Sequence, residues 1–211
     1  ISMWNADGSQ GRMCGNGLRC IAKLAHDHGH VRDRNFVVET DAGVRAVELV
    51  SVGGDVAVVK ASMGRVSVSE VPIDVHVCGR SLKCTRGDAG NPHAVVFLDG
   101  DPDAFPVVEV GTAMQAMPIF AGGVNVEFVQ VLADGSLRQR TFERGSGETL
   151  ACGTGAVVAA TAAAIQGRVQ GDSVRVRLRG GDLIVHRGGA ELVLEGPART
   201  VFLGSVSLPH A

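Results

Sequence analysis

Along most of the chain apolar and polar residues alternate in short runs, the period-two pattern of strands with one buried face. Runs rich in β-branched residues at 36–40, 44–50 and 56–59 are separated by Gly43 and by Gly53-Gly54. They predict a meander of hairpins. Residues 94–98 follow a Gly90-Asn91-Pro92 turn, and 124–132 alternate with Val124, Val126, Phe128 and Gln130 on one face. Runs at 138–142, 174–178, 183–186 and 190–194 continue the series, with Asp134-Gly135 as a hairpin turn. Only two segments carry helical spacing. Over 17–28, Leu18, Ile21, Ala22 and Ala25 recur at i, i+3, i+4 and i+7. Residues 155–166 are apolar on nearly every side, as in a helix buried all round inside a curled sheet.

The two helical segments are copies. Met13-Cys14-Gly15-Asn16-Gly17 corresponds to Ala151-Cys152-Gly153-Thr154-Gly155 at an offset of 138 residues, the distance from Cys14 to Cys152. The same offset relates Ala22 to Ala160, Gly29 to Gly167, Val38 to Val176 and Gly43 to Gly181. Asn16 and Thr154 suit helix N-caps, and Gly29 and Gly167 suit C′ positions. A repeat of this length predicts two duplicated domains. The expected fold is α+β: two pseudo-symmetric lobes, each a mixed sheet rolled into a barrel around one central helix. The expected division is 1–61 with 198–211 returning to it, and 62–197. The second copy reads as ending near Gly204, so the first is expected to be incomplete at its start.

Composition narrows the function. Of 211 residues, 20 are basic and 22 acidic, a net charge of −2 spread along the chain. That balance points away from nucleic acid and from anionic membrane as partners. The longest apolar run, 156–165, is well short of the roughly 18 residues of a membrane span. Glycine, at 29 of 211, is about double its usual share. Five cysteines cannot pair completely within one chain, which points to free thiols in a reducing, cytoplasmic compartment.

Each repeat sets a cysteine ahead of a helix whose first N–H groups and dipole favour negative charge. Such a position favours a thiolate near neutral pH and also offers an anion site. Two of these turns facing each other across a lobe interface suit inversion of a carbon centre. One thiolate removes a proton from one face while one thiol delivers a proton to the other. Zinc is the competing reading, because Cys14/Cys20 and Cys78/Cys84 recur at spacing of five intervening residues, looser than usual. Against it, Cys20 is expected on the apolar side of the first helix.

The residues around these turns resemble the diaminopimelate epimerase family. Asn5-Ala6-Asp7-Gly8-Ser9 followed by 13–20 resembles its first signature, and 143–155 resembles its second. Gly90-Asn91-Pro92-His93 and 123–128 resemble two further blocks. The resemblance implies an isomerase that interconverts LL- and meso-2,6-diaminopimelate without cofactor or metal, on the route to lysine and peptidoglycan, as a cytoplasmic homodimer. It implies Cys14 and Cys152 as the acid/base pair, with His93 and Glu143 assisting in the catalytic set. It also implies Asn5, Asn91, Asn125 and Arg144 as substrate-binding side chains, and Gly15, Asn16, Gly153 and Thr154 as the carboxylate site. Read without the resemblance, Asn91-Pro92 is also an ordinary turn with a structural His93, and Asn5 a turn residue. Glu143-Arg144 also fits a solvated pair, whereas Asn125 within an alternating strand points to a pocket. A proline or hydroxyproline racemase-like sibling and an inactive fragment are the alternatives.

Overall fold

A computed structural model describes residues 1–4, 8, 10, 11 and 13–206. A short hairpin of β1 (Met3–Trp4) and β2 (Gln10–Gly11) leads into helix α1 (Gly15–Asp27). Then come β3 (Asn35–Thr40), β4 (Gly43–Gly53), β5 (Val56–Gly64), β6 (Ser67–Val68), β7 (Ile73–Val77), β8 (Arg80–Asp88) and β9 (Pro92–Phe97). Helix α2 (Val107–Gln115) precedes β10 (Asn125–Val131), β11 (Leu137–Glu143) and β12 (Gly147–Thr149). Helix α3 (Gly153–Ile165), β13 (Ser173–Leu178), β14 (Gly181–His186) and β15 (Leu192–Arg199) follow among the described residues.

Among the described residues, strands β3 to β15 form one mixed sheet. Its main path runs β3-β4-β5-β15-β14-β13-β11-β10-β9-β8-β6, with β7 and β12 paired to its side. Most neighbours are antiparallel; β9 with β10 and β11 with β13 are parallel. The path has two ends, β3 and β6, so the expected closed barrels are not what the strand pairing describes.

The repeat is structural. Moving α1 by 138 residues lands on the bounds of α3, and moving β3 lands on those of β13. The first strand that closes on the other copy is β5, which pairs antiparallel with its counterpart β15, Ala61 opposite Leu194. The duplicated halves therefore meet edge to edge.

Helix α3 is buried on almost every side and packs against β6, β8, β9, β10, β11, β13, β14 and β15. Its alanines and valines explain the fit: Gly87 on β8 lies so near that a Cβ there would sit 2.5 Å from Val158 Cγ1. Val157 and Val158 are fully buried, each worth about 1.5–3 kcal/mol. Helix α1 instead buries only Gly15, Leu18, Arg19, Ala22 and Lys23, against β4, β5 and β15. Cys20 is exposed, not on the apolar side as its spacing suggested, because that side is set by Leu18 and Ala22.

Helix α2 escapes the sequence pattern. Its Val107-Val108-Glu109-Val110 start reads as strand, yet Val107, Val110 and Met114 pack with Val96, Val126 and Phe128 in a second core. Gly111 lets it lie on β11, since a Cβ there would be 2.5 Å from Phe142 Cγ. Strand β10 is thus buried on both faces, one toward α2 and the other, bearing Asn125, Glu127 and Val129, toward the α3 side. The simple in–out alternation expected for 124–132 does not hold for that reason. None of the described helices is long and apolar enough to cross a membrane.

Candidate active site

The N-cap of α1 is Cys14 and that of α3 is Cys152, both with extended backbone. Asn16 and Thr154, expected as caps, lie within the first turn instead. The sulfur takes the capping role: Gly17 N–H donates to Cys14 Sγ at 3.3 Å and Gly155 N–H donates to Cys152 Sγ at 3.4 Å. Sulfur is a weak acceptor as a thiol and a much stronger one as a thiolate, so the Gly155 contact favours the charged form of Cys152.

The two helix starts touch. A Cβ on Gly15 would lie 3.6 Å from Gly153 Cα, and one on Gly153 would lie 3.4 Å from Gly15 Cα. Both would crowd Leu194 Cδ2 of β15, at 2.9 and 3.0 Å. Asn16 fastens the turns together, its amide donating to Ala151 O at 3.3 Å while its Oδ1 accepts from Arg19 at 3.1 Å. Two positive helix ends converge on one place, the kind of setting in which first-turn N–H groups donate to a carboxylate.

Above this junction lies a cleft of about 280 Å³. Its walls include Cys14, Gly15, Asn16, Asn91, Asn125, Glu143, Arg144, Cys152, Gly153 and Thr154. Residues from α1, β10, β11, α3 and the turn before β9 are brought together across the whole sequence. His93 is not on the wall; it is fully buried behind Asn91, Nε2 3.0 Å from Asn91 Oδ1. Asn5 lies outside the described residues.

Side chains are held from behind. Asn125 donates to Pro92 O at 3.1 Å and accepts from Arg144 N–H at 2.9 Å, which locks β10 to the strand end carrying Arg144. Arg144 donates to Gly122 O at 2.9 Å, and Glu143 accepts from Thr149 Oγ1. Glu143 is half-buried, whereas Arg144 is exposed and is tied to the cleft wall by its bond to Gly122.

The two thiols differ. Cys14 is exposed, whereas Cys152 is only 5% exposed. Burial pushes the Cys152 thiol well above the usual range, and the charges of Glu143 and Glu127 push the same way against hydrogen bonds from Thr154 and Gly155. At Cys152 burial beside two carboxylates opposes the thiolate that a helix N-terminus favours.

Glu127 is the residue that sequence reasoning missed. It is wholly buried, with Oε1 2.9 Å from His93 Nδ1. A carboxylate within an alternating run that contains Asn125 was its available signal. His93, Glu127 and Cys152 place potential metal-ligating atoms within 4.8 Å of one another. His93 and Glu127 stand at hydrogen-bond distance, closer than a tetrahedral zinc with bonds of about 2.0–2.3 Å spreads its ligands, so the arrangement does not match such a site.

Comparison with known proteins follows the same lines. A family model described as diaminopimelate epimerase matches residues 1–69 and 87–201. The diaminopimelate epimerase of Leptospira biflexa is 40% identical over 223 residues, covering 99% of this chain and 79% of that protein. That of Geobacillus thermodenitrificans is 40% identical over 219 residues, covering 97% and 75%. Among solved structures, a hydroxyproline epimerase from Agrobacterium vitis with bound trans-4-hydroxy-L-proline superposes with a TM-score of 0.73 at 20% identity. That match covers 93% of this chain and 68% of the other. A probable proline racemase from Agrobacterium radiobacter gives 0.72 at 20% identity, covering 97% and 70%. At those identities the likeness is one of fold.

Proposed function

Because the chain belongs to the diaminopimelate epimerase family and is an isomerase, we propose that it interconverts LL- and meso-2,6-diaminopimelate by two-base proton transfer between Cys14 and Cys152. The observation that carries this reading is the pair of cysteine-capped helix starts abutting through Gly15 and Gly153 on the floor of one cleft. The thiolate of one cysteine takes the α-proton, and the electron pair of the broken C–H bond is left on the α-carbon. The thiol of the other gives its proton to the opposite face, so one proton enters and one leaves. The converging N–H groups of Gly15, Asn16, Gly153 and Thr154 hold the α-carboxylate and stabilise the carbanion-like transition state. Asn91, Asn125 and the Arg144 fork bind the distal ammonium and carboxylate.

On this reading the reaction needs no cofactor and supplies lysine and peptidoglycan precursors in the cytoplasm, with the protein working as a homodimer. On the same reading the chain divides into two lobes, one built on α1 and the other, 62–197, built on α3. The racemase-like alternative takes a cyclic imino acid. The high identity to curated diaminopimelate epimerases, set against 20% to the proline and hydroxyproline enzymes, favours the diamino diacid.

The test is incubation of LL-diaminopimelate, and separately of L-proline and trans-4-hydroxy-L-proline, with reduced protein in D2O. Deuterium should enter the α-carbon of diaminopimelate alone, and Cys14→Ala and Cys152→Ala should each stop inversion. No exchange from folded, reduced protein overturns the reading.

A further inference from the structure

Behind Cys152 the structure holds a carboxylate that the proton-transfer scheme above does not use. Glu127 extends from β10 toward α3 and is 0% exposed. One oxygen meets His93 Nδ1 at 2.9 Å; the other, Oε2, has no hydrogen-bond partner among the described residues. A buried carboxylate with half its capacity unused is costly, and such groups persist where function requires them.

The surroundings are shaped for it. Gly155, in the first turn of α3, is the only residue type that admits this carboxylate: a Cβ there would stand 2.3 Å from Glu127 Oε1. The negative group thus rests against the positive end of α3, which offsets part of the cost of burying it. On the strand side, β9 and β10 pair in parallel with His93 opposite Asn125, so Glu127 falls two residues on, on the face that carries Asn125. The ring of His93 is clamped at both nitrogens, by Glu127 inside and by Asn91 at the cleft wall.

We propose that Glu127 is a positioning residue of the reaction: it fixes His93 behind Cys152 and makes the two ends of the site unequal, so that Cys152 carries the proton in the free enzyme and is the acid in the direction in which the exposed Cys14 is the base, the roles exchanging in the reverse direction. The inference rests on the two-cysteine reading of the site. The ionisable groups facing Cys152 are Glu143 from the end of β11, Glu127 from β10 and His93 from β9. Two carboxylates around a buried thiol hold its proton in place. Cys14 is exposed, with no such enclosure among the described residues. Glu127 also acts on Cys84 of β8, a second buried thiol, in the same direction.

Glu127→Gln keeps the shape and the hydrogen bond and removes the charge. Its kcat should fall at least about tenfold with KM within about threefold of wild type. The basic limb of the rate profile, which reports loss of the acid's proton, should move down by about one pH unit. Glu127→Asp keeps the charge and should leave that limb in place while kcat falls. A readout free of turnover is the pH midpoint for alkylation of the Cys152 peptide by iodoacetamide, measured by mass spectrometry; it should move down in Glu127→Gln and not in Glu127→Asp. Wild-type protein that does not exchange deuterium defeats the parent reading. If wild type exchanges but Glu127→Gln keeps both the basic limb and the alkylation midpoint, even with a lowered Tm, the inference is wrong and Glu127 is structural.

Discussion

Placing a methyl group where the two helix starts touch is the sharpest single perturbation of this site. In Gly15→Ala the new Cβ would stand 2.9 Å from Leu194 Cδ2, 3.3 Å from Met63 Cε and 3.6 Å from Gly153 Cα. Carbon atoms in contact prefer about 3.5–4.0 Å, so relief requires movement of roughly 0.6–1 Å. Leu194 and Met63 are both fully buried and have little room to retreat. Gly15 does not use left-handed backbone, so alanine brings no dihedral strain there. Alanine's better helix propensity, about 1 kcal/mol at most, offsets part of an overpacking cost of about 1–3 kcal/mol. The net loss of stability is therefore small, about 2 kcal/mol or less. Catalysis is expected to suffer more, because relief by a shift of α1 away from Leu194 and Met63 carries Cys14 with it, and a displacement of about 1 Å costs about 10²-fold in rate. The assay is α-deuterium exchange followed by NMR, beside calorimetric Tm. The expected result is a rate about 100-fold down with Tm lowered by only a few degrees, and partial recovery when Leu194→Val is added. A Gly15→Ala protein with more than half the wild-type rate would show that the contact between turns does not set the distance between bases.

Gly123→Ala should raise KM about tenfold or more and leave kcat nearer to wild type in steady-state kinetics. Gly123 has φ of 83° and its Cβ would fall 2.4 Å from Arg144 Cδ, so the change displaces the substrate-binding fork; an unchanged KM would count against that role for Arg144. Alkaline stability should report Cys84, whose thiol is pushed up to about 12 by burial first and by the charge of Glu127 second. In the unfolded chain this thiol ionises near about 8.5. From there upward the unfolded state binds fewer protons than the native state, so stability falls as pH rises toward about 12. The slope approaches about 1.4 kcal/mol per pH unit for this one group. Cys84→Ala should flatten urea-derived stability between about pH 9 and 11, and an unaltered slope would refute the assignment.

What the sequence made legible followed from local chemistry. Helices α1 and α3 announced themselves through periodicity and through their repeat, and the offset reproduced the bounds of β3 and β13 as well. Their true starts lay two residues earlier than the pattern, because cysteine rather than Asn16 or Thr154 supplies the cap. Helix α2 was hidden because β-branched residues at its start carry strand preference that packing against Phe142 and Phe128 overrides. The cleft residues were found where a side chain was chemically out of place, as with Asn125 in a strand. Glu127 stayed unread since its meaning depends on His93, Gly155 and Cys152, three partners that the strand and helix pairings bring near. The difference between the thiols was equally invisible, being a matter of burial and of the carboxylates of Glu143 and Glu127 that the fold brings near Cys152.

The pairing of β5 with β15 sets a condition on how the protein folds. Ala61 and Leu194 are neighbours across that ladder although 133 residues separate them in sequence. Contacts so distant along the chain form late and slowly, after their loop-closure entropy has been overcome. Leu194 is also the residue packed beneath both Gly15 and Gly153. A chain emerging from the ribosome can form α1 early and α3 later, but it lacks the floor that holds them together until its last strand arrives. Assembly of the two-cysteine cleft is thereby coupled to the pairing of β15, and a chain without that strand lacks the floor beneath both cysteines.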